Sequence, residues 1–189
     1  MNVLEELFSG DDERAAAAAA YATPEHLPAL QAALAGADPD RRWWAVCALA
    51  HVPGPAATAL LLQAAHQPDP DLRAAGLLAL GQRAADQEMA QAVTPLLGAL
   101  GDSSEYLARL ATGALIRIGR PAVPGLIQAL ENDARSRVRA CAARALAAIA
   151  DPAAIPALFQ AQEDESALVR HFADVGLERL GVGEVYVKP

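Results

Sequence analysis

The chain has 189 residues, of which 53% are hydrophobic but only 4% aromatic, and alanine and leucine supply most of the apolar surface. This composition favours closely packed helices and excludes a β domain, because β-branched and aromatic residues are too sparse and scattered to form sheets. The formal net charge of −8 argues against nucleic-acid binding, which needs a basic surface to replace the counterions of the phosphate backbone.

The N-terminal residues 1–22 predict a shortened first helix pair, in which an acidic segment precedes an alanine-rich helix. They lack the basic start and long apolar core of a signal peptide. Elsewhere in the sequence, no stretch contains the roughly 20 consecutive apolar residues that cross a bilayer. We therefore expect a cytoplasmic protein without membrane contact, in which residues 1–22 cap an array of repeats.

Five further segments share the pattern apolar-Arg-x-x-small-x-x-Ala-Leu-x-x-apolar, starting at residues 41, 72, 107, 138 and 169. The small and apolar positions fall on one face of a helix. A shorter apolar helix precedes each copy, and Asp or Ser residues in the turn between the two helices are expected to cap the second one. Neither helix of a pair can bury its apolar face alone, so the pairs must stack. The sequence predicts an all-α, right-handed α-solenoid of about six helix pairs over residues 1–181, followed by a non-helical tail at 182–189.

The segments DPDLRAAGLLALG and IGRPAVPGLIQALENDARSRVRACAARALAAIA resemble HEAT-like repeats of the phycobilin-lyase type. The resemblance covers residues 3–181. It implies that an Asp in the inter-helix turn and an Arg early in the second helix form a structural ladder between neighbouring repeats. The matching positions are Asp38, Arg42, Asp69, Arg73, Asp133, Arg139, Asp164 and Arg170.

The fourth repeat departs from this pattern. Its arginine, Arg109, comes one residue late, and the repeat lies 35 residues after the third instead of 31. We expect a local irregularity between the third and fourth repeats.

No phosphate-binding loop, nucleophile elbow or HExxH sequence occurs in the chain, and these are the short motifs that mark common enzyme classes. The four histidines fall in different repeats without metal-ligand spacing. The two cysteines, Cys47 and Cys141, are far apart and form no CxxC pair. We therefore expect no metal, no cofactor and no catalytic residue.

In HEAT-type arrays the second helices line the concave face, which usually binds partners. The outward positions of these helices, the third, seventh and eleventh of the pattern, hold arginines, histidines and a tryptophan but no acid. The predicted binding residues are Trp43, His51, Leu78, Gln82, Arg109, Arg117, Arg144, His171 and Arg179.

Arginine and tryptophan are frequent anchors of protein interfaces. The sequence therefore predicts a non-enzymatic scaffold that binds a partner protein or acidic peptide along repeats four to six, with Trp43 as an apolar anchor. One alternative is that these arginines only solvate the helices or pair with acids in adjacent turns. Another, implied by the resemblance, is a bilin lyase or chaperone-like subunit that handles a tetrapyrrole. Homo-oligomerisation through the ends of the array also stays open.

Overall fold

The computed structural model describes residues 2–83 and 91–182. Twelve α-helices and no β-strand lie in these two ranges. Consecutive helices pack against each other as six pairs. The all-α fold of about six helix pairs predicted from the sequence is confirmed.

The chain divides into two compact units, an N-terminal unit, Met1–Ala92, and a C-terminal unit, Val93–Pro189, each holding three helix pairs. The expected irregularity between repeats three and four falls largely on residues 84–90, and the predicted tail falls on residues 183–189 apart from its first residue. Both segments lie outside the described residues. The single array over residues 1–181 stays a prediction.

The N-terminal unit begins with two short helices and continues with two longer pairs. A single 3₁₀ turn, Pro24–His26, precedes the third helix. The helices of this unit are α1 (Val3–Leu7), α2 (Asp12–Ala19), α3 (Leu27–Ala35), α4 (Pro39–Leu49), α5 (Pro55–Ala65) and α6 (Pro70–Gln82).

The C-terminal unit has long second helices and shorter first helices. All three of its first helices follow 3₁₀ residues, at 91–92, 120–122 and 152–154. The helices of this unit are α7 (Val93–Ala99), α8 (Glu105–Ile118), α9 (Val123–Asn132), α10 (Ser136–Ile149), α11 (Ile155–Ala161) and α12 (Ala167–Arg179).

Aspartates start the second helices of repeats two and three. The Asp38 carboxylate accepts hydrogen bonds from the backbone N–H groups of Asp40 and Arg41 at 3.0 and 3.2 Å, and Asp69 does the same at the start of α6. These bonds satisfy backbone donors that the first turn of a helix leaves free.

In repeats five and six, no Asp or Ser side chain caps the start of the second helix, contrary to the expectation from the sequence. Arg135 and Ser166 occupy the N-cap positions of α10 and α12, and neither side chain makes a cap hydrogen bond. Asp133 and Asp164 instead accept from the N–H of the residue two places ahead, at 2.9 and 2.8 Å. They lie two residues before the cap, so they shape the turn rather than the helix start.

The core of both units is built from leucine and alanine. The fully buried leucines include Leu30, Leu49, Leu61 and Leu80 in the N-terminal unit and Leu115, Leu126 and Leu146 in the C-terminal unit. Each buried leucine stabilises the fold by about 1.5–3 kcal/mol relative to an exposed one. Alanines between them, such as Ala45 and Ala142, are also fully buried, and their small side chains let the helix backbones approach.

The arginine and aspartate positions of the ladder are in contact in the C-terminal unit. Arg139 donates from Nε and Nη2 to the two carboxylate oxygens of Asp164, at 2.7 and 3.1 Å. Its Nη1 donates to the carbonyl of Asp133, in its own repeat, at 3.0 Å. Arg170 donates to the backbone carbonyls of Asp164 and Glu165 at 2.6 and 3.0 Å. One arginine thus ties the turn of its own repeat to the turn of the next.

The N-terminal unit shows a weaker form of the same arrangement. Arg42 Nη2 lies 3.4 Å from Asp69 Oδ2 in the next repeat. Arg73 Nη1 donates to the carbonyls of Gln67 and Pro68 at 3.0 and 2.8 Å. These contacts hold the turns between helices in place and leave the outward side of the second helices open.

Candidate binding surface on the second helices

Within each unit the second helices lie side by side. In the C-terminal unit α10 packs against both α8 and α12, and α9 packs against α7 and α11. In the N-terminal unit α4 packs against α2 and α6. Each unit therefore has a layer of first helices and a layer of second helices. We call the outward side of the second helices of each unit its second-helix face, which is formed by α2, α4 and α6 in the N-terminal unit and by α8, α10 and α12 in the C-terminal unit.

All nine binding residues predicted from the sequence are exposed. Trp43 and Leu78 each expose 40% of their surface. Arg109, Arg117 and Arg144 make no ion pair with any residue in the described ranges. The alternative that these three arginines pair with acids in adjacent turns is therefore not supported within the described residues.

A groove of about 410 Å³ crosses the second-helix face of the C-terminal unit. Residues from all three second helices line it, and we call it the arginine groove. The lining residues are Glu105, Ala108, Arg109 and Thr112 from α8, Arg137, Ala140, Cys141 and Arg144 from α10, and Leu168 and Phe172 from α12.

Three arginines and one glutamate supply the charge of this groove. The Arg109 guanidinium lies over the Tyr106 ring, 5.8 Å from its centroid. Arg137 donates to the backbone carbonyls of Ser103 at 3.3 Å and Gly101 at 3.5 Å, and also to that of Asp102. Since carbonyls are neutral, these bonds fix the position of Arg137 without cancelling its charge. The groove is therefore a positively charged surface patch on a protein whose net charge is −8.

The rest of the groove is apolar. Leu168 exposes 54% of its surface, and Phe172, which is half-buried, lies against the His171 ring at 5.3 Å between centroids. Ala108 and Ala140 are buried. Arginines beside an exposed leucine and a phenylalanine give both a charged and an apolar contact to a ligand.

The residues that line the groove are only partly those predicted from the sequence to bind a partner. Arg109 and Arg144 belong to it, whereas Arg117, His171 and Arg179 do not line it. The expectation of no acid among the outward residues does not extend to the groove, because Glu105 lines it one turn before Arg109. Ala140, taken from the sequence as an outward residue, is 4% exposed.

Sequence reasoning missed Arg137, Leu168 and Phe172. Arg137 and Leu168 occupy the same place in their repeats, 31 residues apart and one residue before the repeat pattern begins. The missed signal is the seven-residue spacing from Arg137 to Arg144, which is two turns of a helix and puts both on one side of α10.

The second-helix face of the N-terminal unit is different in character. A smaller pocket of about 190 Å³ next to Trp43 is lined by Pro39, Asp40, Arg42, Trp43, Asp69, Asp71 and Leu72. Its three carboxylates outnumber its one arginine, which is already paired with Asp69. This pocket does not suit an acidic ligand, and the role of Trp43 as an anchor stays a prediction.

The cysteines are half-buried and unpaired with each other. Burial raises the pKa of the Cys47 thiol, which lowers its reactivity. In the described ranges no cluster of three or more His, Cys, Asp or Glu side chains has the arrangement of a metal site. No helix within residues 2–83 and 91–182 is both long and apolar enough to span a membrane.

Comparison with known families identifies the repeats. A family model of HEAT repeats matches residues 27–116 and 93–178. The chain belongs to the HEAT-repeat family. This HEAT-repeat protein is 39% identical over 90 residues to a phycobilisome maturation protein of Synechococcus elongatus (strain ATCC 33912 / PCC 7942 / FACHB-805). The match covers 47% of this chain and 43% of that protein, so the chain spans less than half the length of the curated relative.

Two solved structures with the same fold are designed proteins. An engineered protein is 21% identical with a TM-score of 0.55, and the match covers 96% of each chain. A designed armadillo repeat protein in complex with the peptide (KR)4 is 20% identical with a TM-score of 0.55, over 94% of this chain and 98% of that one. At these identities the similarity establishes the repeat fold alone.

Proposed function

We propose that this HEAT-repeat protein is a non-enzymatic scaffold that binds a partner protein or peptide through its second-helix face. The observation that supports it most is the arginine groove, where charged and apolar side chains lie exposed across three adjacent helices. Protein interfaces favour arginine and large apolar anchors, and in this groove exposed apolar side chains lie beside Arg109 and Arg144, which make no ion pair within residues 2–83 and 91–182. The designed armadillo neighbour holds a peptide, which is compatible with peptide binding by a stack of helical repeats.

Site-specific photo-crosslinking tests this proposal. A photoreactive amino acid would replace one exposed residue at a time, with Leu78 and Leu168 on the second-helix face and Gln128 and Phe159 on the first helices as matched controls. After irradiation in extracts of the native host, we expect adducts of defined mass from Leu78 or Leu168. Adducts only from the two control positions, or from none of the four, would contradict a protein partner on this face.

A second function is favoured by one observation, the 39% identity to a phycobilisome maturation protein. In this alternative the protein is a lyase or chaperone-like subunit that handles an open-chain tetrapyrrole. Visible absorbance of biliverdin mixed with the protein distinguishes the two. A red shift or sharpening of the band that disappears in an Arg109→Gln/Arg144→Gln variant would favour tetrapyrrole binding, whereas an unchanged spectrum would favour the scaffold.

A further inference from the structure

We propose that the arginine groove binds an acidic protein segment that carries a large apolar side chain. The guanidinium groups of Arg109, Arg137 and Arg144 bind its carboxylates, and Leu168 and Phe172 contact its apolar side chain. This inference rests on the proposed function and specifies the chemistry of the partner.

The arginines of the groove differ from the arginines of the ladder in their ion pairs and exposure. Arg139, a ladder residue, is paired with Asp164 and Glu165, at 2.7 and 3.0 Å, and its side chain is only 11% exposed. Arg109 and Arg144 are exposed and have no ion pair in the described residues. The protein as a whole carries a net charge of −8, so a cluster of unneutralised arginines is where an anionic partner gains attraction.

Arg137 adds a guanidinium whose position is already set. Its two terminal nitrogens donate to backbone carbonyls of the turn before α8. A side chain held in place before binding loses less conformational entropy when the ligand arrives. Arg109 and Arg144 are exposed, and an exposed guanidinium forms paired hydrogen bonds with a carboxylate, which a point charge does not.

The apolar part selects against a purely anionic ligand. Leu168 is 54% exposed at the edge of the groove, next to the half-buried Phe172. Covering about half of a leucine side chain strengthens binding roughly fivefold. An ion or a polyacid without an apolar side chain would gain nothing from this contact.

The groove also sets the length of the occupant. It crosses three helices, and packed helices lie about 8–10 Å apart. An extended segment rises by about 3.3 Å per residue, so roughly five to seven residues span the two helix spacings, which together are about 16–20 Å. Glu105 also lines the groove, one turn before Arg109 on α8, where it repels the carboxylates of the segment and weakens their attraction to Arg109.

The test measures binding of defined octapeptides that carry an uncharged fluorophore, by fluorescence anisotropy. One peptide alternates Glu and Leu, a second alternates Gln and Leu, and a third alternates Glu and Ser. We expect the Glu–Leu peptide to bind wild-type protein at least about tenfold more tightly than either of the others. We also expect its affinity to fall as salt is added, since salt screens exposed charges.

Matched variants of the full chain locate the site. Arg109→Gln/Arg144→Gln should weaken binding of the Glu–Leu peptide about tenfold, whereas Arg41→Gln should change it less than about twofold, because Arg41 is an exposed arginine of α4 that stacks on an aromatic ring as Arg109 does but does not line the groove. Leu168→Ser should weaken it about fivefold, and Phe159→Ser on the first-helix layer should not. Glu105→Gln should tighten it. All these residues are exposed, and far-UV circular dichroism verifies that each variant folds.

Three results would overturn the inference: no binding of the Glu–Leu peptide to wild type, equal binding of the Gln–Leu peptide, or equal affinity of the double arginine variant. If photo-crosslinks form from Leu78 or Leu168 but one of these results is also found, the proposed scaffold function is supported and only the acidic and apolar nature of the partner segment is refuted. If no such crosslinks form, the proposed scaffold function itself is refuted.

Discussion

Replacing Gly76 with alanine tests how closely α5 and α6 pack. A Cβ added at Gly76 would lie 2.6 Å from the backbone nitrogen of Ala65 and 3.0 Å from the carbonyl oxygen of Leu61. Both are backbone atoms of α5, so no side-chain rotation can make room and the helices must separate. The equivalent residue in other repeats is a fully buried alanine, as at Ala111 and Ala142, so the repeat pattern alone would suggest that alanine fits here.

The magnitude follows from two opposing terms. Overpacking a core by one methyl group costs about 1–3 kcal/mol, and replacing glycine by alanine inside a helix contributes about 1 kcal/mol of stability. We expect Gly76→Ala to lose about 1 kcal/mol net. Gly113 is the matched control, because it also lies inside a second helix and a Cβ there would meet no atom within 4 Å. Gly113→Ala should gain about 0.5–1 kcal/mol.

Equilibrium unfolding in urea, followed by far-UV circular dichroism, measures both variants. The midpoint should fall for Gly76→Ala and rise for Gly113→Ala, with the slope m unchanged in both because the surface exposed on unfolding is the same. A midpoint for Gly76→Ala at or above that of wild type would refute the close approach of α5 and α6.

Three further predictions concern single side chains. Asp164→Asn should lower the free energy of unfolding by about 1–2 kcal/mol at neutral pH. The hydrogen bond from Arg139 holds the pKa of Asp164 below its usual range. The stability that the Asp164 carboxylate contributes is therefore complete above the unfolded-state pKa of about 4 and is lost as the pH falls through the folded-state pKa. Urea unfolding at several pH values should show the variant losing less stability on acidification, and parallel curves would contradict this. Asp38→Ala should lower the stability by about 1 kcal/mol because it removes the helix cap, and Asp69→Ala should lower it more because it also breaks the ion pair with Arg42 of the preceding repeat. Equal losses of stability in thermal melting would show that the ion pair adds nothing. Burial raises the pKa of the Cys47 thiol. In a Cys141→Ser background, iodoacetamide should therefore alkylate Cys47 more slowly at pH 8 than it alkylates free cysteine, and the rate should keep rising above about pH 9. A rate equal to that of free cysteine would contradict the burial.

The helix pairs could be predicted because their spacing is a direct consequence of stacking. Val138 and Val169 lie 31 residues apart and are 2% and 0% exposed, since each repeat buries the same face against its neighbour. The family resemblance located Arg139 and Asp164, whose ion pair the structure contains.

The details of the groove could not be predicted from the repeat pattern. Arg137 lies three and seven residues before Ala140 and Arg144, so it shares their side of α10 although it precedes the pattern from which the outward positions were chosen. The capping roles depended on turn length. Asp38 lies four residues before its arginine and caps α4, whereas Asp133 lies six residues before Arg139 and falls outside the helix.

Hydroxyl-radical footprinting of the protein bound to its crosslinked partner, read out by mass spectrometry, tests the central claim most directly. Tyr106 and Leu168 lie on the second helices and are 49% and 54% exposed, and Phe159 on the first-helix layer is 39% exposed. Binding through the second-helix face predicts that oxidation of Tyr106 and Leu168 falls in the complex while that of Phe159 does not change. Protection of Phe159 with Tyr106 and Leu168 still fully oxidised would contradict it.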